Sequence, residues 1–559
     1  MTPDMKISSI TRIISVAFCC IFFAVQPAHA QFYTNGDDPG KTRWSRMDSP
    51  HYRIIYPSGL DSLARVYGHE LERFRMAESI SSGLIPGEGY RKRTPVILHA
   101  FNGISNGSIT WAPKRADLYT LQDAYDPEPM PWVKSLAVHE SRHMAQMQFG
   151  YKGWLKPLTY IIGDMAVGAY SAIWPSNWLL EGDAVVAETA LTNYGRGRSA
   201  DFLSYYMMAF DNADWRNWYR WRYGSYRHYS PNHYALGYLT IAGTRYFFDD
   251  PLFTERYFAR TASNPLRFFN TQKTVRQASG KRFKESFSEI MTGFHEMWKE
   301  EAALREPFTE AVQLQESGKW YREISGTTIS DGRVFCIVNG MNKTSYLAEY
   351  DKVTGGFRRL SGFTSYSSRI KAHDGKIWWS ESIPDSRWSL EMISRIRYYD
   401  ISTGKIRNLT SKGRLFNPSI SEDGSMIACT EYPVAGGSAV VMLSAADGKE
   451  ISRLQMPDSL QAVEACFAGK NLAVSTISEK GSGIFIVNAS KSLSCILEPE
   501  PISIHNLSFN DGKLFPLTET GPWNCIALTC RHFLCDSTHH SPTEETNSAS
   551  TETKFTSRH

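Results

Sequence analysis

Gly332, Gly375, Gly424, Gly469 and Gly512 recur at intervals of 43, 49, 45 and 43 residues. Four of them follow an Asp in a tight-turn dipeptide, and the first four are each followed by an apolar run: VFCIV, IWWSE, MIACT and LAVST. A second set of turns, Thr354-Gly355, Thr403-Gly404 and Asp447-Gly448, keeps phase with the first and leads into FRRLS, IRNLT and ISRLQ. Several short strands in each unit of about 40–45 residues is the pattern of propeller blades, whereas a β-sandwich needs no two turn sets in register. Residues 320–516 therefore read as an all-β propeller, incomplete at about four to five blades. Four units are whole, a fifth begins at Leu507, and the repeat phase is lost after Phe515. Because a propeller closes into a ring, such a count suggests a truncated or frame-shifted tail over 517–559. Its Ser/Thr/His-rich text cannot bury a core and is expected to be disordered.

The other end reads as an export signal. Lys6 and Arg12 precede an apolar run from Ile13 to Val25, and Ala28-His29-Ala30 offers small residues for cleavage before Gln31. That run is too short to span about 30 Å of hydrocarbon, and no later segment reaches eighteen apolar residues, so no transmembrane span is expected. The expected location is periplasmic, outer-membrane-associated or secreted. With 61 Lys+Arg against 57 Asp+Glu, the charge balance gives no basic domain and speaks against a nucleic-acid partner. No Cys lies between Gln31 and Phe335, so the region after the signal has no disulfide of its own.

Between signal and repeats, residues 31–305 form a separate unit, joined to the propeller by a linker at 306–319. Short strands are expected at His51–Tyr56, Thr94–Ala100, Ser108–Trp111 and Asp117–Thr120, with a helix over Leu60–Ser82. The remainder is helical, with runs at Pro131–Gly150, Asn177–Thr192, His233–Phe248 and Lys284–Leu304. The fold class is thus α+β, a small mixed sheet with a helical half, followed by the propeller.

The chemistry is concentrated in Val138-His139-Glu140-Ser141-Arg142-His143. Histidines at i and i+4 share one helix face, so both imidazoles can reach one ion, and the Glu between them can take a proton from a water that the ion activates. A catalytic zinc wants three protein ligands and one open position. Downstream, Asn177-Trp-Leu-Leu-Glu181-Gly-Asp-Ala-Val-Val-Ala-Glu188 supplies Glu181 as third ligand, with Glu188, two turns on, as its rival. Asp183 or Glu188 is the expected carboxylate behind a ligand His.

HESRH followed by NWLLEGDAVVAE resembles the gluzincin clan of zinc metallopeptidases, in particular the peptidase MA-like families, where a second helix opens on Trp-x-x-Glu-Gly-x-Ala. Asn106-Gly-Ser-Ile-Thr-Trp-Ala-Pro113 is similar to that fold's edge strand, which lines the substrate cleft, and the phased repeats resemble a TolB-type propeller of exported bacterial proteins. The resemblance covers about residues 45–300 for the peptidase part. It implies Zn2+ bound by His139, His143 and Glu181, with Glu140 activating water. It also implies an oxyanion stabiliser on a later helix, where Tyr234 is the candidate and Tyr238 and His233 the runners-up. The implied function is an exported zinc peptidase acting on peptide or protein substrates, its propeller binding substrate or an envelope protein partner. The rival is an inactive metallopeptidase-like scaffold that works through the propeller alone, since fold does not establish function.

Overall fold

A computed structural model describes residues 37–84, 93–125, 127–225, 228–264, 268–304, 320–364, 369–519, 524–525 and 528–529. The export signal at 1–30, the linker at 306–319 and most of the tail expected at 517–559 lie outside the described residues.

The chain opens with β1 (Trp44–Asp48), β2 (Tyr52–Pro57), α1 (Asp61–Ser81), β3 (Thr94–His99), β4 (Gly107–Trp111) and β5 (Lys114–Tyr119). These strands make one five-stranded mixed sheet in the order β1-β2-β3-β5-β4. β2, β3 and β5 run parallel, while β1 and β4 pair antiparallel at its two edges. β1 has no counterpart among the expected strands. Its sequence WSRMD alternates between exposed and half-buried side chains, as an edge strand does, and so lacks an apolar signal.

Eleven helices are described, and ten of them follow the sheet: α2 (Trp132–Gln148), α3 (Leu155–Ile162), α4 (Asp164–Ile173), α5 (Asn177–Leu191), α6 (Ala200–Asp211), α7 (Trp218–Tyr223), α8 (His233–Phe247), α9 (Phe253–Ser263), α10 (Asn270–Ser279) and α11 (Phe283–Ala303). α2 lies between two cores. Leu136, Ala137, Val138 and Met144 pack with Tyr52, Ile54, Val96 and Leu118 of the sheet. Ala145 and the following Phe149 pack with Trp178, Leu179, Leu236 and Phe258 of the helical half. A helix buried on both flanks holds its remaining side chains in fixed directions, which is what a metal site needs.

Five four-stranded antiparallel sheets follow. They comprise β6 (Arg322–Ser330), β7 (Arg333–Gly340), β8 (Lys343–Asp351) and β9 (Gly356–Gly362); β10 (Lys371–His373), β11 (Lys376–Pro384), β12 (Met392–Asp400) and β13 (Lys405–Asn408); β14 (Leu415–Ile420), β15 (Met426–Glu431), β16 (Ala439–Ser444) and β17 (Glu450–Gln455); β18 (Gln461–Ala468), β19 (Asn471–Ser478), β20 (Gly481–Val487) and β21 (Leu493–Glu500); β22 (Ser503–Asn510), β23 (Lys513–Glu519), β24 (Asn524–Cys525) and β25 (Leu528–Thr529). Successive sheets stack face to face. Phe335 and Ile337 of the first sheet pack on Ile377 and Trp379 of the second. Trp378 and Ile396 meet Ile427 and Val441 of the third, Ala428 and Val440 meet Ala465 and Val474 of the fourth, and Ala473 and Ile484 meet Ile504 and Leu514 of the fifth. This is a blade-like, propeller-type stack.

The sheet region runs further than the expected boundary at 516, which falls inside β23. Pro516 looks like a strand breaker, but the β22–β23 register shifts between His505 and Ser508, so the proline sits at an irregularity that needs no ladder hydrogen bond.

Candidate metal centre

α2 and α5 bring the expected residues together. His139 Nε2 lies 3.3 Å from Glu181 Oε2, His143 Nε2 lies 3.2 Å from the same oxygen, and the two Nε2 atoms are 3.2 Å apart. Among the described residues, His139, His143 and Glu181 are the group whose donor atoms could hold a metal. Three donors about 3.3 Å apart match the edges of a tetrahedron with metal–ligand distances of about 2.0–2.1 Å, and two imidazoles with a carboxylate suit zinc. Glu188 is not part of this triangle. Its Oε2 lies 3.1 Å from His139 Nδ1, behind the ring.

The second layer is more elaborate than the spacing suggests. Glu188 also holds the Arg196 guanidinium in a two-point pair, with Nε at 2.8 Å and Nη2 at 2.9 Å. His143 Nδ1 meets Gln146 Oε1 at 2.9 Å, and Gln146 Nε2 donates to Asp183 at 2.9 Å and to the Leu180 carbonyl at 3.0 Å. Asp183 thus reaches His143 only through Gln146. Its main partner is Arg142, with contacts of 2.6 and 2.8 Å, and Arg142 in turn pairs with the buried Glu78 of α1. Gln146 and Arg196 are the residues that sequence reasoning missed. Gln146 carried a readable signal, being one turn beyond His143 on the same helix; Arg196 carried none.

Charges in the trio answer one another. Burial alone would lower the His139 pKa, but hydrogen bonds to Glu181 and Glu188 raise it to about 10. Burial opposes ionisation of Glu181, yet His143 and His139 hold its carboxyl well below the usual range. Glu140 differs, because burial pushes its carboxyl up, and its Oε2 is buried without a hydrogen-bond partner. A Cβ on Gly107 would lie 2.6 Å from Glu140 Oε1, so the edge strand β4 presses its backbone against this carboxylate.

Tyr234, in the first turn of α8, stacks on His139 with ring centroids 6.3 Å apart, and Arg196 lies 5.1 Å above its ring. Burial and the Glu181 carboxylate keep its phenol protonated. Tyr238 instead packs against Phe202 and approaches Gly197. Of the three expected candidates, only Tyr234 is among the residues that line the cleft. This cavity of about 370 Å³ is bordered by Asn106 and Gly107, by His139, Glu140, Arg196 and Tyr234, and by Gln461 and Ser503 from the fourth and fifth repeat sheets. Tyr194 Oη and Ser503 Oγ are 3.1 Å apart across that junction. Away from the cavity, Trp218 and Trp221 are in the helical core, and Tyr229 stacks on Tyr321 at 4.0 Å.

No protein-family model and no curated protein sequence matches the chain. Similar solved structures include a gluconolactonase from Xanthomonas campestris, at 15% identity over 36% of this chain and 70% of that one, with a TM-score of 0.28. The β-propeller domain of the Trilobed protease from Pyrococcus furiosus is 14% identical over 36% of this chain and 63% of that one, with a TM-score of 0.28. TolB from Acinetobacter baumannii is 12% identical over 36% of this chain and 53% of its own, with a TM-score of 0.25. At such scores the likeness assigns no chemistry to this chain.

Proposed function

We propose that the chain is an exported zinc peptidase of gluzincin type, with a TolB-like propeller forming one wall of its cleft. The observation that carries this reading is the triangle of His139 Nε2, His143 Nε2 and Glu181 Oε2 beside a buried, unpartnered Glu140 oxygen. His139, His143 and Glu181 are the residues that would hold zinc, and Glu188 and Gln146 orient the two imidazoles from behind. When bound there, zinc supplies Lewis acidity toward a peptide carbonyl and makes a water acidic near neutral pH.

The protein's own groups perform the proton transfers. Glu140 takes the proton of the attacking water and passes it to the leaving amine, and its raised pKa suits a group that must both accept and give. Tyr234 keeps its proton and can donate a hydrogen bond to the oxyanion of the tetrahedral species. β4 is an edge strand paired on one side only, by β5, so an extended peptide can add along its other side. Export belongs to this proposal on the strength of the leader pattern at 1–30.

The test is Glu140→Gln, which keeps the side chain's volume but removes the base. Zinc content should be unchanged while peptide hydrolysis falls by about 10²–10⁴-fold. A variant as active as wild type contradicts the mechanism. Wild type that holds zinc but cleaves no peptide in a broad library supports the scaffold alternative.

A further inference from the structure

The connection between the two halves of the metal site, α3 and α4, carries a surface that the chemistry above does not use. Tyr160, Ile161, Ile162, Met165 and Ile173 are between 51% and 76% exposed, and all five belong to this one pair of short helices joined at Gly163. Elsewhere in the described residues, exposed large apolar side chains are mostly scattered. A contiguous apolar face of this kind marks an interaction site.

We propose that the α3–α4 pair is an interfacial anchor that dips into an anionic lipid surface. Three observations favour lipid. First, residues 155–174 contain only two charged side chains, Lys156 and Asp164. The carboxylate of Asp164 is turned back into the protein, where it accepts hydrogen bonds from Tyr151 Oη at 2.8 Å and the Lys114 backbone N–H at 3.1 Å. The outward face is therefore apolar, with the exposed Lys156 in the first turn of α3, a charge complementary to acidic headgroups.

Second, the base carries an aromatic collar. Trp154 and Trp174 meet edge to face at 5.3 Å, and Tyr170 stacks on Trp174 at 5.8 Å. Trp154 Nε1 donates to the Thr261 carbonyl at 3.3 Å, and Tyr170 Oη pairs with Thr261 Oγ1 at 2.6 Å. Half-buried Trp154, its indole N–H satisfied and its ring against Trp174, fits the pattern of an interfacial aromatic, whereas Tyr170 is fully buried and belongs to the protein's core. Third, α3 and α4 have 8 and 10 residues, about 12 and 15 Å long, too short to cross about 30 Å of hydrocarbon. No described helix is long and apolar enough to cross. Shallow insertion is what such lengths allow.

The anchor sits close to the cleft. Trp111, at the end of β4, is 6.4 Å from the Tyr170 ring, and a Cβ on Gly168 would lie 3.0 Å from that of Ala112. From Trp111, β4 runs back to Gly107 beside Glu140, about 13 Å at 3.3 Å per residue. A leaflet bound at α3–α4 thus sets the cleft at a fixed distance from the lipid.

The test is co-sedimentation of the chain from Gln31 to His559, which keeps every described residue, with vesicles of phosphatidylglycerol and phosphatidylethanolamine. Wild type is expected to pellet with them, and Ile161→Ser with Ile162→Ser to weaken partitioning by about tenfold or more with unchanged melting temperature. Binding should also fall when phosphatidylcholine replaces phosphatidylglycerol. Wild type that stays in solution at every lipid concentration, or a double variant that binds equally well, overturns the proposal. So does a wild-type dimer that the double variant dissolves in the absence of vesicle binding, because the face then belongs to a second copy of the chain.

Discussion

Glu181 is followed by a glycine because two helices cross there. A Cβ on Gly182 would run into the backbone of Gly237, and a Cβ on Gly237 would run into the Trp178 carbonyl oxygen. That backbone-to-backbone contact between α5 and α8 brings Glu181 and Tyr234 together beside His139. Gly237→Ala must push α8 away from α5. It is expected to cost about 1–3 kcal/mol of stability, as overpacking does, and to lower peptide hydrolysis further by displacing Tyr234. Denaturant unfolding together with a peptidase assay checks both. His139, Glu140 and His143 were legible in the sequence because their geometry is local, set by one helix turn. Assigning Glu181 over Glu188 required the fold, since both are carboxylates on one helix and only packing shows which side of His139 each one meets. Arg196 was not legible for the same reason, as it meets His139 and Glu188 only through a loop that returns to the site.

Among the elements, the ones that read clearly were those with a period. The helices expected at Pro131–Gly150, Asn177–Thr192 and His233–Phe248 correspond to α2, α5 and α8 to within two residues, because apolar residues recur at helical spacing and Gly, Pro or polar turns close the runs. α3 and α4 did not separate, as their exposed apolar face erases the contrast between inside and outside. The central sheet carries a pH-sensitive fastening. His99 at the end of β3 is held between Asp38 at 2.7 Å and Asp117 of β5 at 3.2 Å. Burial alone would lower its pKa, but the hydrogen bonds to Asp117 and Asp38 raise it to about 9 from the usual 6.5. A raised folded-state pKa stabilises fully below pH 6.5 and is lost as pH climbs through 9, an effect on the order of 3 kcal/mol. Unfolding free energy should therefore decline between pH 6.5 and 9 more steeply in wild type than in His99→Gln. Parallel pH profiles would refute this assignment.

At the scale of the whole molecule, the repeat sheets are part of the cleft rather than an appendage. Leu121 and Ala124 pack with Phe416 and Tyr432 of the third sheet region, Arg414 donates to the Ala100 carbonyl at 2.8 Å, and Ser382 donates to that of Gly103 at 3.0 Å. The glycine spacing showed that such sheets exist, because tight turns announce themselves locally. It did not show which sheets reach the cavity, since Gln461 and Ser503 line it only through long-range packing. The central claim is that this assembled cleft holds a zinc ion, and equilibrium dialysis of the intact chain against zinc tests it most directly. Wild type should bind about one tight zinc per chain, with tight binding lost in His143→Ala and in Glu181→Ala. Wild type that binds no zinc, or either variant that binds it as tightly as wild type, would contradict the account.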